Sequence, residues 1–274
     1  MTNDRNTRPK AVQEQDEEAT EMVTSTGGQG PLEGAVIAVA GAAGPAGRAT
    51  LLRLAEAGAV VVGSDSHPER LAEAVDAARY AHGGATVIGD TVDLLDLDQT
   101  REWAARTEKE FGRIDGLVHL VGGWRGSSTF AETDLADWDM LHKLLIRTVQ
   151  HTSLAFHEAL ERSGNGRFLL TSAAGASKPT GGNAAYAASK AAAEAWTLAM
   201  ADGFRKSGGE QGPRAAAAIL IVKALVNDQM RAERPNAKFA GFTDVTELAE
   251  AIAGVWSRPA QEVNGQRLWL TPEP

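Results

Sequence analysis

An apolar run that breaks into a glycine-rich loop and then into a helical stretch leaves few folds open to this chain. Residues 35–40, Ala-Val-Ile-Ala-Val-Ala, read as a strand buried on both faces. Gly41-Ala42-Ala43-Gly44-Pro45-Ala46-Gly47 follows, and residues 48–57 continue at helical period. Glycines allow a tight turn and the close approach of a pyrophosphate. The helix that follows offers unpaired N–H groups and the positive end of its dipole. Strand, loop and helix in this order are the context a dinucleotide-binding fingerprint requires. The spacing is G-x-x-G-x-x-G and not G-x-G-x-x-G, and a plain β–α turn can also be glycine-rich.

The remaining chain keeps alternating. Residues 59–65 form a second strand ending in Asp65, 18 residues beyond Gly47. A carboxylate there accepts both ribose hydroxyls of an adenosine and repels a 2′-phosphate, which favours NAD(H) over NADP(H). Its other reading is a cap for the helix that starts near Pro68, a role open to Ser66 as well. A helix over 69–81, a strand near 86–88, Asp93 and a helix over 99–111 come next. Residues 116–121 are a fourth buried strand, closed by Gly122-Gly123-Trp124. Glycines there let backbone lie against a flat cofactor, and Trp124 either stacks on a flat substrate or packs ordinarily. His119, inside that apolar strand, reads as a core histidine. A long helix over 135–161, a strand over 168–172, a loop over 173–183, a helix to about Phe204 and a strand over 215–222 follow. Residues 227–243 have little periodicity and read as a mobile flap, before a helix over 246–256 and a last strand over 266–270. The pattern predicts one α/β domain over residues 31–274: a Rossmann-type, doubly wound parallel sheet of about seven strands with helices on both faces.

Residues 1–30 differ in kind. They are polar, contain the acidic run over 14–18, and end in a Thr/Ser/Gly linker, so they read as a disordered acidic tail. The formal net charge of −9 argues against a nucleic-acid partner. With no cysteine there is no disulfide, thiolate metal site or cysteine nucleophile. No pair among the six histidines has metal-ligand spacing, so no metal is expected. No apolar run reaches the ~20 residues that span a bilayer, and the N-terminus lacks a signal-peptide pattern. The expectation is a cytoplasmic protein with no membrane partner.

Tyr186 and Lys190 carry the chemistry. Four residues apart on an Ala-rich helix, they share one face. A phenol beside a fixed ammonium is expected to lose its proton more readily than its ordinary pKa of ~10 implies. That pairing suits proton transfer at a carbonyl oxygen, although Tyr-x-x-x-Lys is also common on ordinary amphipathic helices.

Together, the glycine loop, Asp65, Asp93, Gly122-Gly123 and Tyr186-x-x-x-Lys190 resemble the short-chain dehydrogenase/reductase superfamily over residues 34–270. The resemblance implies Tyr186 as proton donor or acceptor, Lys190 as the ribose-binding partner that acidifies it, and Ser172 as the hydroxyl that polarises a carbonyl. It implies cofactor contacts at Gly41, Gly44, Ala46, Gly47, Asp65, Asp93, Val121, Gly122, Tyr186 and Lys190. It further implies a small-molecule substrate and a homodimer or homotetramer built on the two central helices. The chain departs from the family pattern in places. Pro45 replaces the loop's middle glycine, Leu145 stands at a frequent asparagine position, and Lys223-Ala224 replaces Pro-Gly. The usual spacing back from Tyr186 lands on Ala173, and Ser172 requires a loop one residue longer. The layout is similar to dihydropteridine reductase, a family that uses the Tyr/Lys pair without a serine and has a tryptophan at its pterin site. The leading expectation is an NAD(H)-dependent oxidoreductase moving hydride between nicotinamide and a carbonyl or alcohol. The alternatives are reduction of a quinonoid pterin, with Trp124 at the substrate, and a catalytically silent nucleotide-binding regulator.

Overall fold

The computed structural model describes residues 30–273, so the expected acidic tail lies, apart from Gly30, outside the described residues. Seven parallel strands stand in the order β3-β2-β1-β4-β5-β6-β9: β1 (Val36–Ala40), β2 (Val60–Asp65), β3 (Val87–Thr91), β4 (Gly116–His119), β5 (Arg167–Ala173), β6 (Ala216–Val222) and β9 (Arg267–Trp269). The chain winds outward from β1 to β3, then returns to start again at β4 beside β1. The order therefore reverses between β1 and β4, the point outside whose carboxyl ends open sheets of this kind take their ligands.

Alternate residues of each strand feed two cores. Ile37, Val39, Leu169 and Leu220 pack with Leu51 and Leu54 of α1 (Pro45–Glu56), Leu71 of α2 (Pro68–Ala81), and Leu248 and Ile252 of α8 (Val245–Gly254). Ala38, Leu117, Phe168 and Leu170 face the other way, toward Trp103 of α3 (Leu97–Phe111), Phe156 of α5 (Thr148–Ser163) and Phe204 of α6 (Ala184–Ser207). Each fully buried leucine or phenylalanine contributes about 1.5–3 kcal/mol relative to exposure. The near-continuous apolar strands follow from this two-sided burial.

Two stretches differ from the sequence expectation. The long helix is interrupted: α4 (Leu135–Leu141) passes through a π-helical turn, His142–Arg147, into α5. The extra residue in that turn carries Leu145 into the core, where it is buried. Residues 227–243, expected as an aperiodic flap, hold α7 (Asp228–Glu233) between the paired two-residue strands β7 (Leu225–Val226) and β8 (Thr243–Asp244). Arg231 pairs with Asp244 at 2.7 Å and Lys223 Nζ donates to the Ala240 carbonyl at 3.0 Å. Those long-range contacts supply the order that local periodicity does not. A four-residue helix, α9 (Ala260–Val263), precedes β9.

Candidate functional site

The glycine loop lies at the strand-order reversal. Gly41 has φ +84 and its backbone passes so close to the next strand that a Cβ would meet Val121 N at 2.9 Å. A Cβ on Gly47 would meet Ala42 Cα at 2.6 Å and collide with the Gly41 carbonyl. Only glycine closes this turn of loop onto helix. Pro45 is the first residue of α1, where a missing N–H costs the helix nothing. Arg48 N bonds the Gly44 carbonyl, which leaves the Ala46 and Gly47 N–H groups as the free donors at the helix start. The Asp65 carboxylate closes the other side. Its Oδ2 accepts from Ala43 N at 3.2 Å and its Oδ1 from His67 N at 3.1 Å. Asp65 thus braces the loop and the turn before α2, whose N-cap is His67 without a side-chain cap bond, so Asp65 is not the helix cap. Asp93 turns back on its own segment and accepts from Leu95 N at 2.9 Å, while Asp96 caps α3. The glycine cradle, the free N–H groups and the acid at the loop fit the pyrophosphate and ribose of a dinucleotide.

Tyr186 and Lys190 stand on the first turns of α6, which packs against β5 and β6, and Lys190 reaches the carboxyl end of β5. Lys190 is 6% exposed and its Nζ donates to the Thr171 carbonyl at 2.8 Å. Burial pulls the ammonium down to about 8, against an opposing pull from Glu194. The phenol departs from the sequence expectation. Burial pushes Tyr186 up to about 12, and neither an ammonium nor a hydrogen bond offsets it. Lys190 Nζ donates to the Thr171 carbonyl and not to the phenol, so burial is left as the cause acting on Tyr186.

Ser172 also departs from its expected role. It is 1% exposed and its hydroxyl donates to Glu194 Oε1 at 2.6 Å. Strand alternation turns it, with Phe168 and Leu170, toward α6. Its proton is therefore committed inside the protein, and Ala173 occupies the strand end. Glu194, which the sequence reading missed, bonds Arg267 Nε through Oε2 at 2.8 Å. Its position four residues beyond Lys190, the same interval that singled out Tyr186 and Lys190, was the available signal.

His119 is buried between the hydroxyls of Thr148 (3.3 Å) and Thr152 (3.1 Å). Burial, and secondarily the Lys190 charge, hold it down to about 3. It is a neutral core histidine. After β4 the chain runs through Val121 and Gly122 to Trp124, which is 60% exposed and lies over Gly126. A groove of about 420 Å³ lies elsewhere: Phe130, Pro179 and the Ala184, Ala188 and Ala191 face of α6 line it, on the side of the helix away from Tyr186. It is almost wholly apolar, so it lacks the groups that proton transfer needs. Among the described residues no three potential ligands converge as a metal site, and no helix is long and apolar enough to cross a membrane.

Residues 35–208 match the family model described as short chain dehydrogenase. The chain belongs to that family of oxidoreductases. A short-chain type dehydrogenase/reductase of Mycolicibacterium smegmatis is 30% identical over 175 residues, 59% of this chain and 62% of the relative. The 3-oxoacyl-(acyl-carrier-protein) reductase of Thermotoga maritima is 30% identical over 160 residues, 58% and 64% of the two chains. The matches thus span less than two thirds of these relatives. Among solved structures, an NADPH-bound short chain oxidoreductase of Pseudomonas aeruginosa, containing an atypical catalytic center, is 27% identical with a TM-score of 0.76, covering 86% of this chain and 94% of that one.

Proposed function

We propose that this short-chain dehydrogenase is an NAD(H)-dependent oxidoreductase acting on a carbonyl or alcohol, with Tyr186 as the acid–base group. The observation that carries the reading is the buried Lys190, held on the Thr171 carbonyl near the carboxyl end of β5, with the Tyr186 phenol one turn before it on α6. The nicotinamide, when bound, supplies or takes the hydride. Gly41, Gly44, Gly47 and the Ala46 N–H hold the pyrophosphate, and Asp65 and Asp93 face the adenosine half. Val121 and Gly122 line the nicotinamide side, and Lys190 holds the ribose. Tyr186, fully protonated at neutral pH, donates to the oxygen of the carbonyl as negative charge develops there.

A second reading has its own support. The Ser172 hydroxyl is tied to Glu194 and Trp124 is exposed beyond β4, which favours a flat, pterin-like substrate handled without a serine. A panel of ketones, aldehydes and quinonoid dihydropterin separates the two. Turnover of nothing in the panel, with cofactor bound, selects the third reading, a silent nucleotide-binding regulator.

Parallel titrations with NADH and NADPH test the cofactor. NADH is expected to bind at least about tenfold more tightly, because Asp65 repels a 2′-phosphate. Asp65→Ser is expected to remove most of that difference, and a wild-type preference for NADPH overturns the assignment. A second copy of the chain is the expected partner, packed on α5 and α6, where Leu154 is exposed beside Trp196 and Met200. Light scattering should show a dimer or tetramer that Leu154→Glu dissociates, and a monomeric parent refutes this.

A further inference from the structure

Glu194 sits one turn beyond Lys190 and is 4% exposed. Both of its oxygens are held, one by Ser172 and the other by Arg267 of β9, whose side chain is 41% exposed. Burying a carboxylate is costly even when it is paired. Its two bonds tie α6 to β5 and β9, in surroundings where the other β5 side chains facing α6, Phe168 and Leu170, are apolar. The charge has a use if Lys190 has the role proposed above, and the inference rests on that reading.

The ammonium is cut off from water and has one carbonyl to donate to. Burial alone favours its neutral form. Of the groups around it, Tyr186 and His119 are uncharged at neutral pH. β6 offers only apolar side chains. On α4 and the π turn, Asp139, Lys143 and Arg147 are exposed, and Asp137 pairs with Arg125. On α5, His151 bonds the Leu94 carbonyl and His157 stacks on Phe204. Glu194 is left as the anion that opposes the effect of burial.

The geometry points to Glu194 as a positioning residue that keeps Lys190 protonated at neutral pH, with Ser172 orienting its carboxylate and Arg267 moderating its charge. Ser172 then serves the reaction from beneath the site and not by touching substrate. Two substitutions act in opposite directions. Glu194→Gln keeps the shape and removes the anion, so the alkaline limb of kcat/KM for reduction moves to lower pH by about one unit. Arg267→Gln removes the cation that partly neutralises Glu194, so the same limb moves to higher pH. A merely structural role lowers stability and leaves both limbs in place.

A measurement without cofactor accompanies the kinetics. In a urea-unfolding double-mutant cycle, Glu194→Gln and Lys190→Met are expected to couple by about tenfold in the unfolding constant at pH 7, which matches a one-unit shift. The coupling disappears near pH 10, where the lysine is neutral. Opposed limb shifts together with pH-dependent coupling support the inference. If Lys190→Met abolishes turnover while the limbs stay put and the cycle shows no coupling, the role of Lys190 survives and that of Glu194 is overturned. Full turnover in Lys190→Met overturns both. If Glu194→Gln does not fold, the exposed Arg267→Gln carries the test, and a limb that stays or falls refutes the inference.

Discussion

Tyr186→Phe is expected to lower the turnover of reduction by about 10²–10⁴-fold, which is roughly 3–5 kcal/mol of barrier. Nicotinamide nucleotide binding should stay within about twofold, because the phenol oxygen is a proton carrier and not a cofactor anchor in the proposed reaction. Stability should not fall. The hydroxyl makes no hydrogen bond that offsets its burial, so its removal leaves no partner unsatisfied. The raised phenol adds a second expectation. With the group pushed up to about 12, the phenolate needed to take a proton from an alcohol is scarce at neutral pH. Oxidation by the wild-type protein should therefore accelerate as pH rises toward about 8, where Lys190 begins to lose its proton, while reduction should not. Equal turnover in Tyr186→Phe and the parent would remove Tyr186 from the mechanism. Loss of cofactor binding in the same variant would recast it as an anchor.

Acid should destabilise this protein through His119 by an amount on the order of 5 kcal/mol in full. The sign follows from the two states. The buried ring is held down to about 3, whereas the same histidine in the unfolded chain titrates at its ordinary 6.5. Between those values the unfolded state binds a proton that the folded state refuses. Stability therefore rises with pH across the window and is lost as pH falls through it, with nothing further lost below about 3. A neutral ring can donate its one N–H to either the Thr148 or the Thr152 hydroxyl, each of which donates in turn to a carbonyl one turn back on its helix. His119→Asn removes the titration and keeps a polar side chain between the two threonines. Urea midpoints at pH 7 and about pH 4.5 should show the parent losing about 3 kcal/mol more than the variant. Identical losses would mean that His119 takes up its proton in the folded state without penalty.

His119 and Ser172 show how far a sequence reaches at this site. An apolar strand around His119 implied a core histidine, because a strand so apolar has both faces covered. Nothing in the local sequence named Thr148 and Thr152, which arrive from a helix some thirty residues away. Ser172 was harder. A one-residue difference in loop length decides whether it or Ala173 stands at the strand end, and a one-residue change in a strand turns a side chain to the opposite face. Only the packed β5–α6 contact shows that the hydroxyl faces Glu194. The expected acidity of Tyr186 failed for a related reason. Helical spacing put Tyr186 and Lys190 on one face, but the direction of a long flexible side chain is set by its partner, here the Thr171 carbonyl.

The sequence by itself determined the layers of this protein. Apolar strands, glycine punctuation and helical periodicity are local properties, and alternating them permits little besides a doubly wound parallel sheet. The glycines at 41 and 47 were equally legible, because the backbone they permit is a property of the residue. Tertiary structure alone decided the charges and hydrogen-bond partners. How strongly burial shifts Lys190, Tyr186 and His119, and which way Ser172 and Glu194 turn, depend on atoms contributed by β4, β5, α5 and β9. Desolvation and long-range hydrogen bonds come into being only when those elements meet, so no window along the chain contains them.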